Sequence, residues 1–361
     1  MQSEPALVWM DYSPAQELDW LLQNCSAQKI LLITNPKILM NASALQRLSR
    51  LLDRGYAACG PVFNLTGLQK QQADLPAVYL NLSTYEEILQ LMAHEPGLDS
   101  VRVDRLDPAC VLFARSYLQG LDQKIRLKEM ALQAADSSAG SMAVELKSLV
   151  HNFGDYFSAQ RDDLIRLAPL ECRRVLDVGC AAGEYGKGLK EKIPEAEVIG
   201  IELDADMAGL AAAHYRHVLV QQVQEVEFAE PFDLINCGDV LEHLQDPWTV
   251  LDKLYSLLAR QGILVISLPN AGHWTIVRDL LQGRFEYVPW GLLCITHVRW
   301  FTEESIRKAL EDAGFEIEVF DRQQIEPTPQ GKEFIQKMIE QGYGDETSLL
   351  SNEFLIRARR K

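Results

Sequence analysis

The sequence predicts an α/β protein: a parallel sheet with helices on both faces, preceded by a smaller α/β domain. Three observations predict it. From Arg174 onward, short apolar runs alternate with amphipathic stretches of helical length, the pattern of successive β-α-β units. The first of these runs, 175–178, leads into glycines and small residues and then into a helical stretch. Between this region and the amino-terminal one, residues 116–147 turn charged and helix-forming. The 361 residues leave room for two domains at roughly 150 residues each. The predicted division is an N-terminal α/β domain over 1–115, a helical linker over 116–147, and a second domain over 148–361.

In the first domain, 29–34 and 110–113 read as buried strands, and 44–52 reads as a helix leading to Gly55. A second helix spans 85–93, with Thr84 or Ser83 as its N-cap. Asn35-Pro36, Gly60-Pro61 and Glu95-Pro96-Gly97 read as turns. The linker carries a flexible break at 137–141, and a helix over about 144–167 ends at Ala168-Pro169. Beyond it, strands are predicted over 175–178, 198–203, 218–223, 232–236 and 263–268, with helices over 184–193, 206–214 and 247–258. A helix over 303–313 and strands over 315–320 and 353–359 complete the chain.

The formal net charge of -16 and pI near 4.9 repel phosphate backbones, so nucleic acid is not an expected partner. Seven cysteines are scattered singly, and the odd count excludes a complete disulfide framework. Reduced thiols and a cytoplasmic location are the expectation. The amino terminus lacks a basic segment followed by an apolar one, and no apolar run approaches the roughly 20 residues of a membrane span. Stable membrane insertion is not expected.

The richest segment is Val175-Leu-Asp-Val-Gly-Cys-Ala-Ala-Gly-Glu-Tyr-Gly186. Gly179 and Gly183 let the backbone turn sharply and approach a ligand closely. The helix that follows offers free N–H groups to an anionic group. Glu202, at the end of the next strand, is placed to accept hydrogen bonds from both ribose hydroxyls. Strand, glycine loop, helix, strand and acid make a nucleoside-binding unit. A dinucleotide fold would want G-x-G-x-x-G; the spacing here is G-x-x-x-G, with Asp177 two residues ahead. A nicotinamide enzyme is the disfavoured alternative.

This D-x-G-x-x-x-G pattern resembles motif I of class I S-adenosylmethionine (SAM) dependent methyltransferases. The run from Phe232 to Pro247, FDLINCGDVLEHLQDP, resembles the post-strand-4 motif of their UbiE/UbiG-like branch. Gly262 to Asn270, GILVISLPN, resembles its strand 5, and Thr296 to Thr302, THVRWFT, a segment of bacterial methyltransferases associated with polysaccharide genes. The resemblance covers about 148–361. It implies a Rossmann-like seven-stranded sheet of order 3-2-1-4-5-7-6, with SAM as cofactor and S-adenosylhomocysteine as product. It also implies that Asp177, Gly179, Cys180, Ala181, Gly183 and Tyr185 line the methionine side, and that Glu202 holds the ribose. Leu203 and Asp204 would flank the adenine, Gln222 and Val223 would stand near its amino group, and Gly238, Asp239 and Val240 would close over the methionyl side. Gln222 stands where the family usually has an acid, and Ala181 where it usually has glycine.

Transfer of a methyl from a sulfonium needs the nucleophile held in line, and an oxygen nucleophile needs somewhere to send its proton. His243, His273 and His297 are the candidates for that work. Asn270, His273, Trp274, Tyr287, His297 and Arg299 are the candidate acceptor contacts, within or beside an aromatic insertion over 271–294. No H-x-x-x-H or H-x-x-E-H spacing occurs, so metal-independent transfer is expected. The expected activity is O-methylation of a glycan or other small molecule. A SAM-binding scaffold in a glycan-assembly complex, or a quinone-ring O-methyltransferase, are the alternatives.

The amino-terminal region, through 29–40 and 103–113, is similar to part of family 2 glycosyltransferases. It lacks their acidic D-x-D, since the matching place reads Thr34-Asn35-Pro36-Lys37. The resemblance implies a degenerate domain without transferase activity, serving recognition or homodimerisation.

Overall fold

The structure, a computed structural model, describes residues 6–9, 18–34, 38–75, 78–122, 124, 141–153 and 160–361. The chain divides into two compact units: Met1–Pro76 with Glu87–Gly154, and Ala77–Glu86 with Asp155–Lys361.

The first unit is built on a mixed sheet. In chain order its strands are β1 (Ala6–Trp9), β2 (Lys29–Ile33), β3 (Ile38–Leu39), β4 (Ala58–Phe63), β5 (Ser100–Val103), β6 (Cys110–Ala114) and β7 (Met142–Asn152). They are arranged β1-β2-β6-β4-β7-β3, with β5 also on β7. Leu31, Leu48, Cys59, Leu112, Ala143 and Val150 share one core. Leu48 comes from helix α1 (Ala42–Asp53), whose first free N–H groups include that of Ala44, taken by the Asn41 side chain.

Several expectations change in this part of the chain. Gly60-Pro61 lies inside the buried strand β4 and is not a turn. The β4–β7 register shifts between Pro61 and Val62, an irregularity that tolerates a residue without an N–H. Residues 142–152 form β7 where a helix from Val144 is predicted, because pairing with β4 and β5 buries Met142, Ala143, Val144, Leu149 and Val150. Tertiary pairing outweighs helix propensity there. The strand belongs to the first unit, so the division falls after Gly154 and not at 147. Of the predicted linker, only Arg115–Leu118 is helical among the described residues; 125–140 lie outside them, as do 35–37 of the segment without D-x-D. The helix Leu82–His94 is capped by Asn81, whose Oδ1 accepts from the Thr84 N–H at 3.0 Å, and not by Ser83 or Thr84.

The second unit holds seven strands: β8 (Arg174–Val178), β9 (Glu197–Ile201), β10 (His217–Leu219), β11 (Phe232–Gly238), β12 (Leu258–Pro269), β13 (Phe315–Gln324) and β14 (Ser351–Arg360). Their order is β10-β9-β8-β11-β12-β14-β13. Numbered within the unit this is 3-2-1-4-5-7-6, the predicted sheet. The first five are parallel to their neighbours, while β14 runs antiparallel to β12 and β13. Consecutive residues enter different cores: Leu176, Ile199, Ile235 and Leu264 pack on one face, and Val175, Val198, Leu234 and Val265 on the other. A sheet covered on both faces requires such unbroken apolar runs, which is why these strands were legible. The carboxyl ends of β8, β9, β11 and β12 converge on one edge, where an α/β sheet of this kind binds its ligand. Among the described residues, no helix is long and apolar enough to cross a membrane.

Candidate active site

The loop after β8 carries three left-handed residues: Gly179 (φ +73°), Ala181 (φ +45°) and Gly183 (φ +94°). A Cβ at Gly179 would stand 2.6 Å from Val240 Cγ2, and one at Gly183 would stand 2.9 Å from Ala211 Cα. Glycine is therefore needed at both places for space as well as for backbone conformation. The Val240 contact also seats the turn after β11 directly against the loop.

Asp177 is 1% exposed. Asn236 Nδ2 donates to its Oδ1 at 2.7 Å, and the Tyr215 hydroxyl donates to its Oδ2. The same hydroxyl accepts from the Gly186 N–H at 2.9 Å. Burial pushes the Asp177 carboxyl up to about 6, against the pull of these two donors. Buried, and with a protein donor on each oxygen, the Asp177 side chain braces the loop from behind. Cys180 and Tyr185 are also buried in the core beneath the loop. Burial raises both of their pKa values, and neither side chain is presented on the surface of the loop.

Glu202 stands at the end of β9. Its Oε2 accepts from the Ala181 N–H at 2.8 Å and its Oε1 from the Asp204 N–H at 2.9 Å. The carboxylate is thus fixed across from the glycine loop, as a ribose acceptor must be. Leu203 beside it is 65% exposed, an apolar face of the kind an adenine covers. Asp204 instead caps the helix Ala205–Ala211, accepting from Asp206 and Met207. Gln222 is exposed, whereas the Val223 side chain is buried in the sheet core.

On the acceptor side the structure sorts the candidates sharply. Asn270 is a buried brace, with Nδ2 donating to the carbonyls of Ser348 and Ser351 and Oδ1 accepting from Gly272. His273, 1% exposed, caps the helix Trp274–Leu281. Its Nδ1 meets the Thr275 hydroxyl at 2.9 Å, and burial drives its pKa down to about 3. Trp274 packs against Ile335 and Leu349 under the Arg278 guanidinium. All three side chains are buried in the frame of the insertion.

His243 and His297 do come together, with ring centroids 4.8 Å apart edge to face. His243 is exposed, and His297 is 5% exposed with its pKa lowered by burial and then by His243. The turn that carries His243 begins at Asp239, whose positive φ of 52° is held by bonds from its N–H to the Ser267 carbonyl and hydroxyl. Gly238 ends β11 just before it. Arg299 lies over Trp248, with its guanidinium on the Gln245 and Val298 carbonyls. Tyr287, 52% exposed, joins Phe285 and Trp300 in an exposed aromatic group with centroids 5.4 to 6.3 Å apart.

Two further residues belong to this arrangement. Glu242 is 1% exposed and its Oε2 has no hydrogen-bond partner. Burial first, and then the neighbouring Asp239 charge, raise its pKa well above the usual carboxylate range. Arg161, in a left-handed conformation (φ 56°), bridges Asp163, Asp239 and Glu353. Two of its three partners lie 78 and 192 residues away in the chain. Glu242 sits inside the D-V-L-E-H motif, so the signal for it was present.

A glycine loop packed on the turn after strand 4, a carboxylate at the end of strand 2 and the 3-2-1-4-5-7-6 sheet match the arrangement that the motifs' resemblance implies. Residues 142–318 match the family model described as a methyltransferase domain. The match covers just under half of the chain and agrees with the methyltransferase class that its motifs resemble. Curated relatives include a ubiquinone biosynthesis O-methyltransferase of Psychrobacter arcticus, 29% identical over 44% of this chain and 65% of that protein. They also include a trans-aconitate 2-methyltransferase of Deinococcus radiodurans, 31% identical over 33% of this chain and 47% of that protein. The chain thus spans less than two-thirds of these relatives' lengths. A solved SAM-dependent methyltransferase from Archaeoglobus fulgidus is 21% identical, covers 58% of this chain and 98% of its own, and superposes with a TM-score of 0.41.

Proposed function

We propose that the chain transfers the methyl group of SAM to a hydroxyl oxygen of a small-molecule acceptor, a glycan or an aromatic ring. The observation that carries this reading is the seating of the Asp239–His243 turn on the glycine loop through Val240 and Gly179. On this reading His243, and with it His297, stands beside the methyl group of the bound cofactor. In-line attack needs little beyond this placement, because the sulfonium is already an activated leaving group. The exposed group of Phe285, Tyr287 and Trp300 offers ring faces on which a sugar or an aromatic acceptor can stack. The ubiquinone biosynthesis O-methyltransferases among the relatives support the aromatic acceptor.

Incubation with methyl-labelled SAM and parallel panels of phenols, catechols and glycans tests the reading. Transfer to one panel is the expected outcome. Micromolar SAM binding with no transfer to any panel would instead favour a SAM-binding scaffold.

A further inference from the structure

The turn after β11 and the segment 292–299 place three metal-binding side chains around one point. Donor atoms of Glu242, His243 and His297 lie within 4.8 Å of one another. Ligands about 2.1 Å from a shared ion stand roughly 3 to 4 Å apart, so small side-chain movements would close the set. The two segments are tied together: the Glu242 carbonyl accepts from the Val298 and Arg299 N–H groups at 2.8 and 3.0 Å.

Two details separate this cluster from a chance meeting of polar residues. The first is the orientation of the imidazoles. His243 Nδ1 is 3.1 Å from the Thr296 carbonyl, and His297 Nδ1 is 3.1 Å from the Leu292 carbonyl. A carbonyl can only accept, so each Nδ1 carries the proton and each Nε2 keeps its lone pair. Metal-bound histidines are commonly held in this way by a backbone carbonyl on the other nitrogen. The second is Glu242 Oε2, buried and without a partner. A buried carboxylate oxygen left unpaired is costly unless a cation or donor meets it.

We propose that Glu242, His243 and His297 bind a divalent first-row cation, which holds the acceptor hydroxyl during methyl transfer. Two imidazoles and one carboxylate suit zinc, cobalt or manganese better than calcium or magnesium, which favour all-oxygen shells. Three protein ligands leave a position open for an exogenous oxygen. A hydroxyl bound there loses its proton to solvent more readily. Its oxygen then forms the new O–CH3 bond as the C–S bond breaks, and the sulfonium leaves as the neutral thioether of S-adenosylhomocysteine. The proposal rests on the methyl-transfer reading, yet its metal-binding half is separately measurable. Sequence spacing could not show the site, because His243 and the Thr296–His297 pair are 53 residues apart and more.

The test uses the full chain, treated with chelator, dialysed and titrated with Co2+ as the probe, read by visible d–d absorption. Equilibrium dialysis with Zn2+, Mn2+ and Mg2+ runs beside it. One equivalent of Co2+ should bind, with Zn2+ competing and Mg2+ at least tenfold weaker. Glu242→Gln, His297→Ala and the exposed His243→Ala should each weaken Co2+ binding tenfold or more, while His214→Ala leaves it unchanged. SAM affinity and far-ultraviolet circular dichroism certify the fold of each variant, and His243→Ala serves if the buried positions do not tolerate change. Failure of the folded, SAM-binding chain to take up Co2+, Zn2+ or Mn2+, or uptake indifferent to all three substitutions, overturns the site. Undiminished methyl transfer in excess chelator would overturn the ion's role and leave the methyltransferase reading standing. Site-specific metal binding without transfer to any acceptor would do the reverse.

Discussion

Two buried carboxylates, Asp177 behind the glycine loop and Glu242 behind the turn after β11, are each 1% exposed, yet their surroundings differ. Asp177 has a donor on each oxygen, from Asn236 and Tyr215. Glu242 has an oxygen with none. A satisfied buried acid stiffens the backbone around it, whereas an unsatisfied one is a place for something to bind. Burial raises the pKa of both, so the shift does not tell the two roles apart. The partner atoms do.

The comparison can be broken most forcefully at Asp177. Asp177→Ala leaves the buried Tyr215 hydroxyl and Asn236 amide without their acceptor, at a cost of about 3 kcal/mol or more, read as a lowered urea midpoint. Asp177→Asn sharpens the point through pH. The folded-state pKa of about 6 lies above the roughly 3.9 of a free aspartate, so the folded chain binds the proton more tightly. The contribution to stability therefore falls as pH rises from about 4 to about 6 and is flat above. Urea midpoints across that range should lose this downward trend in Asp177→Asn; an unchanged trend would assign it to other groups.

Glu202→Ala is next in size. Removing a charged acceptor for two ribose hydroxyls should weaken SAM binding about a hundredfold, at roughly 1.5 kcal/mol per bond, measured by calorimetry. Unaltered affinity would move the ribose elsewhere. Gly179→Ala should cost about 2 kcal/mol, from the left-handed φ and the 2.6 Å approach to Val240. Val240→Ala in the same chain should recover the steric part alone, as a double-mutant cycle would show. The smallest effect is expected at His273. As a helix cap, His273→Ala should cost about 1 kcal/mol. Its pKa is held down near 3, so it contributes stability above pH 6.5 that is lost as pH falls, and the alanine variant should lose that part of the acid sensitivity. The rate of methyl transfer should hold, since the ring is walled into the helix start.

The same contrast explains which parts of the protein were legible. The cofactor half is written locally: β8, the glycine loop, the following helix and Glu202 lie within one β-α-β unit, and their contacts are mostly to backbone. Even so, the side chains of Cys180, Tyr185 and Val223 pack in the core and that of Asp177 is buried behind the loop. A motif records which residues a loop needs without saying which of them face outward. On the acceptor side, Asn270, His273 and Trp274 read as substrate contacts from their place after strand 5, and burial converts all three into structure. The β7 strand was lost for a related reason, since its partners β4 and β5 lie far from it in the chain.

By itself the sequence determined the strands of the second unit and the position of the glycine loop, because apolar runs buried on two faces and glycines at strained turns are demands that neighbouring residues express directly; the strand order came only from the motifs' resemblance to a known family. Only the tertiary structure decided that His243 meets His297 beside an unpaired Glu242 oxygen, that Arg161 ties Asp239 to Glu353, and that His273 is a cap. Those arrangements join residues remote in sequence, and the energy of bringing such groups together in low dielectric depends on the folded packing around them rather than on their spacing along the chain.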